Sequence, residues 1–136
     1  MLSFLLIIFL IALIIAYSVL NKPRGYSIDL QNIIILRKGK NINIEISQIS
    51  EIKYIEHFKT TSLIRLWLIS INPFAEMLTF GSFWSFQYGK IHVYITTLGS
   101  ALLIKTNNRR KYVISPDDSE ITLIMQYCPV KILNYQ

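Results

Sequence analysis

Cysteine and histidine are almost absent from this sequence of 136 residues, which holds one thiol, Cys128, and two imidazoles, His57 and His92. A lone cysteine excludes an internal disulfide framework and any multi-cysteine metal cluster. Glu56 and His57 are adjacent, so on a strand they would face opposite sides and could not act as a couple. Glycine is scarce as well, with five residues, and no phosphate-cradling loop, metal-spaced cluster or nucleophile elbow is formed from them. There is no internal repeat. Together these gaps predict a protein that is not an enzyme and holds neither a metal nor a cofactor.

Charge is missing from one place in particular. The first 20 residues, MLSFLLIIFLIALIIAYSVL, carry no ionisable acid or base among their side chains apart from the Tyr17 phenol. At 1.5 Å per residue a helix of that length spans about 30 Å, the thickness of a bilayer hydrocarbon core. Tyr17 falls near its far end, where aromatic residues favour the interface. A cleaved signal peptide would bring a basic start, a shorter apolar run and a small-x-small cleavage site, and none of these is present. Residues 1–20 are therefore predicted to be a retained transmembrane helix, residues 21–25 a linker, and residues 26–136 a folded domain. Lys22 and Arg24 follow the apolar run and nothing basic precedes it, so the positive-inside rule predicts a single-pass protein of the cell membrane with its C-terminal domain in the cytoplasm.

What the chain does have is positive charge. Fourteen Lys and Arg against eight Asp and Glu give a net charge of +6, and every basic residue follows the apolar run. The matching partner is acidic, and next to a membrane that means the bilayer itself and its anionic lipid headgroups. No motif points to nucleic acid.

The domain reads as mostly β. Tyr26–Leu30 alternates like a strand, Ile33–Leu36 is a β-branched run, and Arg37, Lys38, Gly39 and Lys40 supply a turn in which Gly39 is free to take positive φ. In Asn41–Ile46 the isoleucines occupy every second position, giving one buried face. Ile49, Ile52 and Ile55 are spaced by three, which suits a helix face and a twisted strand equally. Ser62–Phe74 is nearly all apolar and is read as a buried strand, with a segment dipping into the headgroup region as the alternative. Further on, Ile91, Val93 and Ile95 alternate with His92, Tyr94 and Thr96. Asn107 and Asn108 tolerate the left-handed conformations of a tight hairpin, and Lys111–Ile114 follows. The run Ser115, Pro116, Asp117, Asp118 is a helix entry, with Ser115 as N-cap, Pro116 at the first helical position and Asp118 at the third, where its carboxylate can reach back as in a capping box. The helix runs over about 116–127, buries Ile121, Ile124 and Met125 or Leu123, and stops before Pro129.

About seven short strands followed by one helix predict an antiparallel barrel or a pair of packed sheets capped by the C-terminal helix. The order of elements, the aromatic and glycine run Phe80, Gly81, Ser82, Phe83, Trp84, Ser85, Phe86, the following Gly89, Lys90, Val93, Tyr94 and Thr96, and the Tyr112–Asp117 helix entry together resemble the bacterial pleckstrin-homology-like (PH-like) domains of the membrane-anchored type. Arg65 sits where those domains often carry an arginine. The resemblance covers residues 26–127 and departs from the family in having only Gly81 and Gly89 in that run. It implies a partly open seven-stranded barrel with a helical cap, no enzymatic activity, and self-association or docking to membrane partners.

Two sets of residues are candidate contacts. Arg37, Lys38 and Lys40 on one hairpin tip, and Arg109, Arg110 and Lys111 beside another, suit anionic lipids. Trp67, Phe74, Phe83 and Trp84 could instead form an apolar interface with another copy, giving a homo-oligomer, or with an integral-membrane protein.

Overall fold

The computed structural model describes residues 1–58, 64–65, 80–85, 87–97 and 99–133, which form two α-helices, ten strands and one turn of 3-10 helix. The first helix, α1 (Leu2–Asn21), is apolar on every side and none of its residues is buried. It is long and apolar enough to cross a membrane. Its last turn is closed by the Lys22 amide donating to the Ser18 carbonyl at 2.9 Å and by the Asn21 side-chain amide donating to the Tyr17 carbonyl at 2.8 Å.

The chain then enters a three-stranded antiparallel sheet, in the order β1 (Pro23–Ile28), β2 (Asn32–Arg37) and β3 (Ile42–Glu45). Strand β1 begins inside the segment expected to be a linker. Pro23 is tolerated because it is the first residue of an edge strand, where no ladder donor is lost, and an irregularity between Pro23 and Gly25 absorbs the mismatch. The strand also ends before Leu30, because the Asp29 carboxylate accepts from the amides of Gln31 and Asn32 at 2.8 and 2.7 Å and bends the chain. Gly39 does not adopt positive φ. Its amide donates to the Leu20 carbonyl at 2.9 Å, and a Cβ there would come within 3.0 Å of the same oxygen. Glycine is needed for close approach to the end of α1, not for a left-handed turn.

A larger sheet follows, built from β4 (Ile49–Phe58), β5 (Ile64–Arg65), β6 (Phe80–Ser85), β7 (Gly89–Tyr94), β8 (Gly99–Thr106), β9 (Lys111–Ile114) and β10 (Ile132–Leu133) in the order β10-β4-β8-β9-β7-β6-β5. Of the two expected arrangements the pair of packed sheets is the one formed: the barrel does not close, and the two sheets remain separate ladders. Nor is the large sheet wholly antiparallel, since β10 runs parallel to β4 and β7 parallel to β9. Strand β9 lies between β7 and β8, so those two consecutive strands are not a hairpin.

The three-residue spacing in β4 resolves as a strand. Register shifts between Ile49 and Glu51 and between Ile55 and Phe58 each insert one residue, so a step of three keeps the same face. Ile49 and Ile52 join one core and Ile55 and Phe58 the other. The first core lies between the sheets and includes Ile33, Ile35, Ile44, Ile52, Leu102, Ile104 and Ile114, with Ile121 and Ile124 from the C-terminal helix. The second occupies the opposite face of the large sheet with Phe83, Ile91, Val93, Leu103 and Val113. Strand β8 is buried on both faces, which is why Ala101–Ile104 is continuously apolar.

Helix α2 (Asp118–Tyr127) starts two residues later than its sequence suggests. Asp117 is the N-cap: its carboxylate accepts from the Glu120 amide at 2.8 Å, and the Glu120 carboxylate accepts from the Asp117 amide at 3.0 Å, a reciprocal capping box. Ser115 is unavailable as a cap because it is buried and its hydroxyl accepts from the amides of Thr96 and Thr97 at 2.9 and 3.1 Å. The Tyr26 hydroxyl reaches the same place, donating to the Tyr94 carbonyl and accepting from the Ser115 amide at 3.0 Å. One tyrosine thus pins the small sheet to the ends of β7 and β9.

Candidate functional site

The basic residues of the β2–β3 turn lie at the end of α1, held there by the Gly39–Leu20 bond. Arg37 is the ordered one. Its Nε donates to the Lys40 carbonyl at 2.7 Å and its Nη1 to the Asn21 side-chain oxygen at 2.9 Å, using two of the five guanidinium donors. Its guanidinium carbon stands 5.8 Å from the centroid of the Tyr94 ring, within cation–π range. Lys38 and Lys40 are exposed.

The second basic cluster is divided by its turn. Arg109 takes the left-handed conformation, with φ 66°, which the two asparagines were expected to supply. Asn108 instead accepts through its side-chain oxygen from the Thr106 hydroxyl and from the Arg110 amide, and the Asn107 amide donates to the Gln48 carbonyl at 2.7 Å. A local side-chain bond fixes Asn108 and a backbone bond to Gln48 fixes Asn107, which leaves the positive φ to their neighbour. The Arg110 charge is felt at His92 and Tyr94. Lys111 reaches elsewhere, donating to the Tyr88 carbonyl at 2.6 Å.

One arginine from each cluster therefore bears on Tyr94. Burial raises the pKa of the Tyr94 phenol, and the charges of Arg37 and Arg110 oppose that rise. At neutral pH the phenol is protonated and can donate.

Between α1 and the ends of β2, β6 and β7 lies a groove of about 820 Å³. Leu10, Leu13, Ile14 and Tyr17 form its helix wall. Arg37, Phe80, Gly81, Ser82 and Tyr94 line the opposite side, and there is no carboxylate among the described residues that line it. Gly81 has φ 114°, a backbone conformation open to glycine, so the bare wall at that point is built into the sequence. Tyr94, Ser82, Asn21 and Tyr17 were not singled out from the sequence as contacts. The available signal was the alternation of β7, which put Tyr94 on the face opposite Ile91 and Val93.

Ser82 and His92 have the form of a nucleophile and a base, with Oγ and Nδ1 3.1 Å apart. Burial lowers the pKa of His92, and the charges that act on it are Lys90 and Arg110. Both oppose the imidazolium that such a base must become, and no carboxylate among the described residues orients the ring. Cys128 is buried and burial raises its thiol pKa, which keeps it protonated. Among the described residues no group of three His, Cys, Asp or Glu is placed to hold a metal.

Of the apolar set, Phe83 is fully buried in the second core and offers no surface, whereas Trp84 is 36% exposed. Trp67 and Phe74, and the reading of Ser62–Phe74 as buried strand or headgroup-dipping segment, lie outside the described residues; only the backbone of Ile64–Arg65 is described there. A family model for a bacterial PH domain matches residues 24–125 of the chain. No curated protein and no solved structure matches it.

Proposed function

The chain belongs to the bacterial PH domain family, and from that premise we propose that it is a membrane-tethered binding and scaffolding module, without catalytic activity, whose β domain is held against anionic lipid headgroups. PH-like domains are binding or scaffolding modules and are generally non-catalytic. In this reading α1 spans the bilayer, with Asn21 at the water boundary and the domain in the cytoplasm.

The observation that carries it is the fastening of the β2–β3 turn to the end of α1. Gly39 bonds to Leu20 and Arg37 to Asn21, each at 2.9 Å, and in this reading that keeps Lys38 and Lys40 at the depth where the helix leaves the membrane. A Lys or Arg beside an anionic leaflet contributes about 1 kcal/mol, so these two lysines together bias the pose by about 2 kcal/mol, roughly 30-fold. Contacts of this kind weaken as salt shortens the Debye length.

Hydrogen exchange of the full chain in lipid nanodiscs tests the reading. Amides of residues 37–41 should exchange more slowly in phosphatidylcholine containing phosphatidylglycerol than in phosphatidylcholine alone, with the difference lost at high salt or in the Lys38→Ser, Lys40→Ser variant. Equal exchange in both bilayers would rule the headgroup contact out.

A further inference from the structure

The groove beside α1 has two chemical ends. Toward the end of the helix it offers a guanidinium with unused donors, the Ser82 hydroxyl and the Tyr94 phenol. Toward the middle of the helix the described residues that line it are Leu10, Leu13 and Ile14. From Asn21 back to Leu10 is eleven residues, about 16 Å of helix, which is close to half of the ~30 Å hydrocarbon core and so to the depth of one leaflet. The wall of the groove is thus graded from anion-binding to apolar over one leaflet's depth.

We propose that this groove holds one anionic phospholipid of the leaflet facing the domain, its phosphate on Arg37 and one acyl chain lying along Leu10, Leu13 and Ile14. The inference rests on the reading of α1 as a membrane span. It differs from headgroup contact at Lys38 and Lys40 in requiring a single, enclosed lipid rather than a charged surface.

Three features select this occupant. Among the described residues that line the groove there is no carboxylate, and the formal charge they bring is the Arg37 cation. Arg37 is held by Asn21 and by the Lys40 carbonyl, which orients the guanidinium and leaves donors for a phosphate, a partner it engages in bidentate fashion. The apolar part is walled by the very helix that lies in the bilayer, so its contents are continuous with lipid and not with water. A volume of about 820 Å³ is large enough for a headgroup and part of one chain, within the 300–1,000 Å³ range of small-molecule sites. A soluble phosphate compound would leave the Leu10–Ile14 end unfilled.

The test is native mass spectrometry of the full chain released from mild detergent after incubation with phosphatidylglycerol or phosphatidylcholine. One phosphatidylglycerol per chain should be retained, at least ten-fold in preference to phosphatidylcholine, and excess inorganic phosphate should not displace it. Arg37→Gln removes the cation. Ala16→Phe fills the groove from an exposed helix position without touching Arg37's bonds. Each should lower occupancy at least ten-fold. Retention unaltered by Ala16→Phe, displacement by phosphate alone, or equal retention of the two lipids would each overturn the proposal. Hydrogen exchange at residues 37–41 reads the headgroup contact separately: a slowed turn with no retained lipid defeats the groove alone, and a retained lipid with no slowing defeats the turn contact alone.

Discussion

Replacing Tyr26 by Phe deletes one oxygen and should cost far more than its size suggests. That oxygen donates to the Tyr94 carbonyl and accepts from the Ser115 amide at 3.0 Å, where Ser115 is only 4% exposed. The ring stays and leaves almost no cavity, so the loss is polar. A buried amide left without an acceptor costs about 1–3 kcal/mol, and a central value of about 2 kcal/mol corresponds to a fall in Tm of roughly 6 to 12 °C for a domain of this size. Ser115→Ala should cost less, about 1 kcal/mol or under, because the amides it abandons belong to Thr96 and Thr97, whose exposed positions let water take over. The two hydroxyl oxygens are themselves 3.4 Å apart, a marginal contact, so the double variant should show a coupling below about 1 kcal/mol. Urea unfolding of the full chain in detergent, read by near-ultraviolet circular dichroism, supplies all three values. A Tyr26→Phe variant within about 0.5 kcal/mol of wild type would refute the clamp. A coupling above about 2 kcal/mol would show that the side-chain pair, and not the backbone, is what Tyr26 secures.

Two further outcomes follow from the same geometry. Gly39→Ala should open the junction between α1 and the β2–β3 turn, because its Cβ would stand 3.0 Å from the Leu20 carbonyl; faster exchange of the Gly39-position amide, with the large sheet unchanged, is the expected signature, and unaltered exchange counts against it. Burial raises the pKa of both Tyr26 and Tyr94 above the usual 10, so folding holds these phenols protonated while the unfolded chain loses its protons. Their contribution is complete below pH 10 and is lost as pH climbs through 10 toward the folded-state values. Stability should therefore decline from about pH 10 upward, and Tyr26→Phe should flatten part of that decline; an unchanged slope would show that Tyr26 is not among the groups responsible.

Much of the fold could be read from local pattern, and the misreadings have definite causes. The isoleucines of β2 and β3 and the alternation of β7 report burial directly, since a period of two survives in any regular strand. In β4 the bulges erase that period, and only the ladder shows that a step of three is a strand with insertions. The segment from Ser115 to Glu120 contains two overlapping cap signals, and the choice between them was made by Tyr26, Thr96 and Thr97, distant residues that take Ser115 into the interior. The order of the strands was hidden for a similar reason, because a turn sequence does not reveal that β9 will slip between two strands joined in series. As for the site, charge at the hairpin tips was visible, but the convergence of Arg37 and Arg110 on Tyr94 joins residues far apart in sequence and needed the sheet to assemble them.

That slipped-in strand also sets a timetable for biogenesis. Until β9 has been synthesised, β7 and β8 have no common neighbour and the sheet is left in two halves, with β6 and β7 on one side and β4 and β8 on the other. By then residues 2–21 have long emerged and can already be in place. Tyr26 meets its partner 89 residues later, and β10 must still travel back to Ile52 and Lys53. Closing such distant pairings is slow, on the order of milliseconds to seconds. During that interval the nascent chain carries open sheet edges, which chaperones and proteases would find.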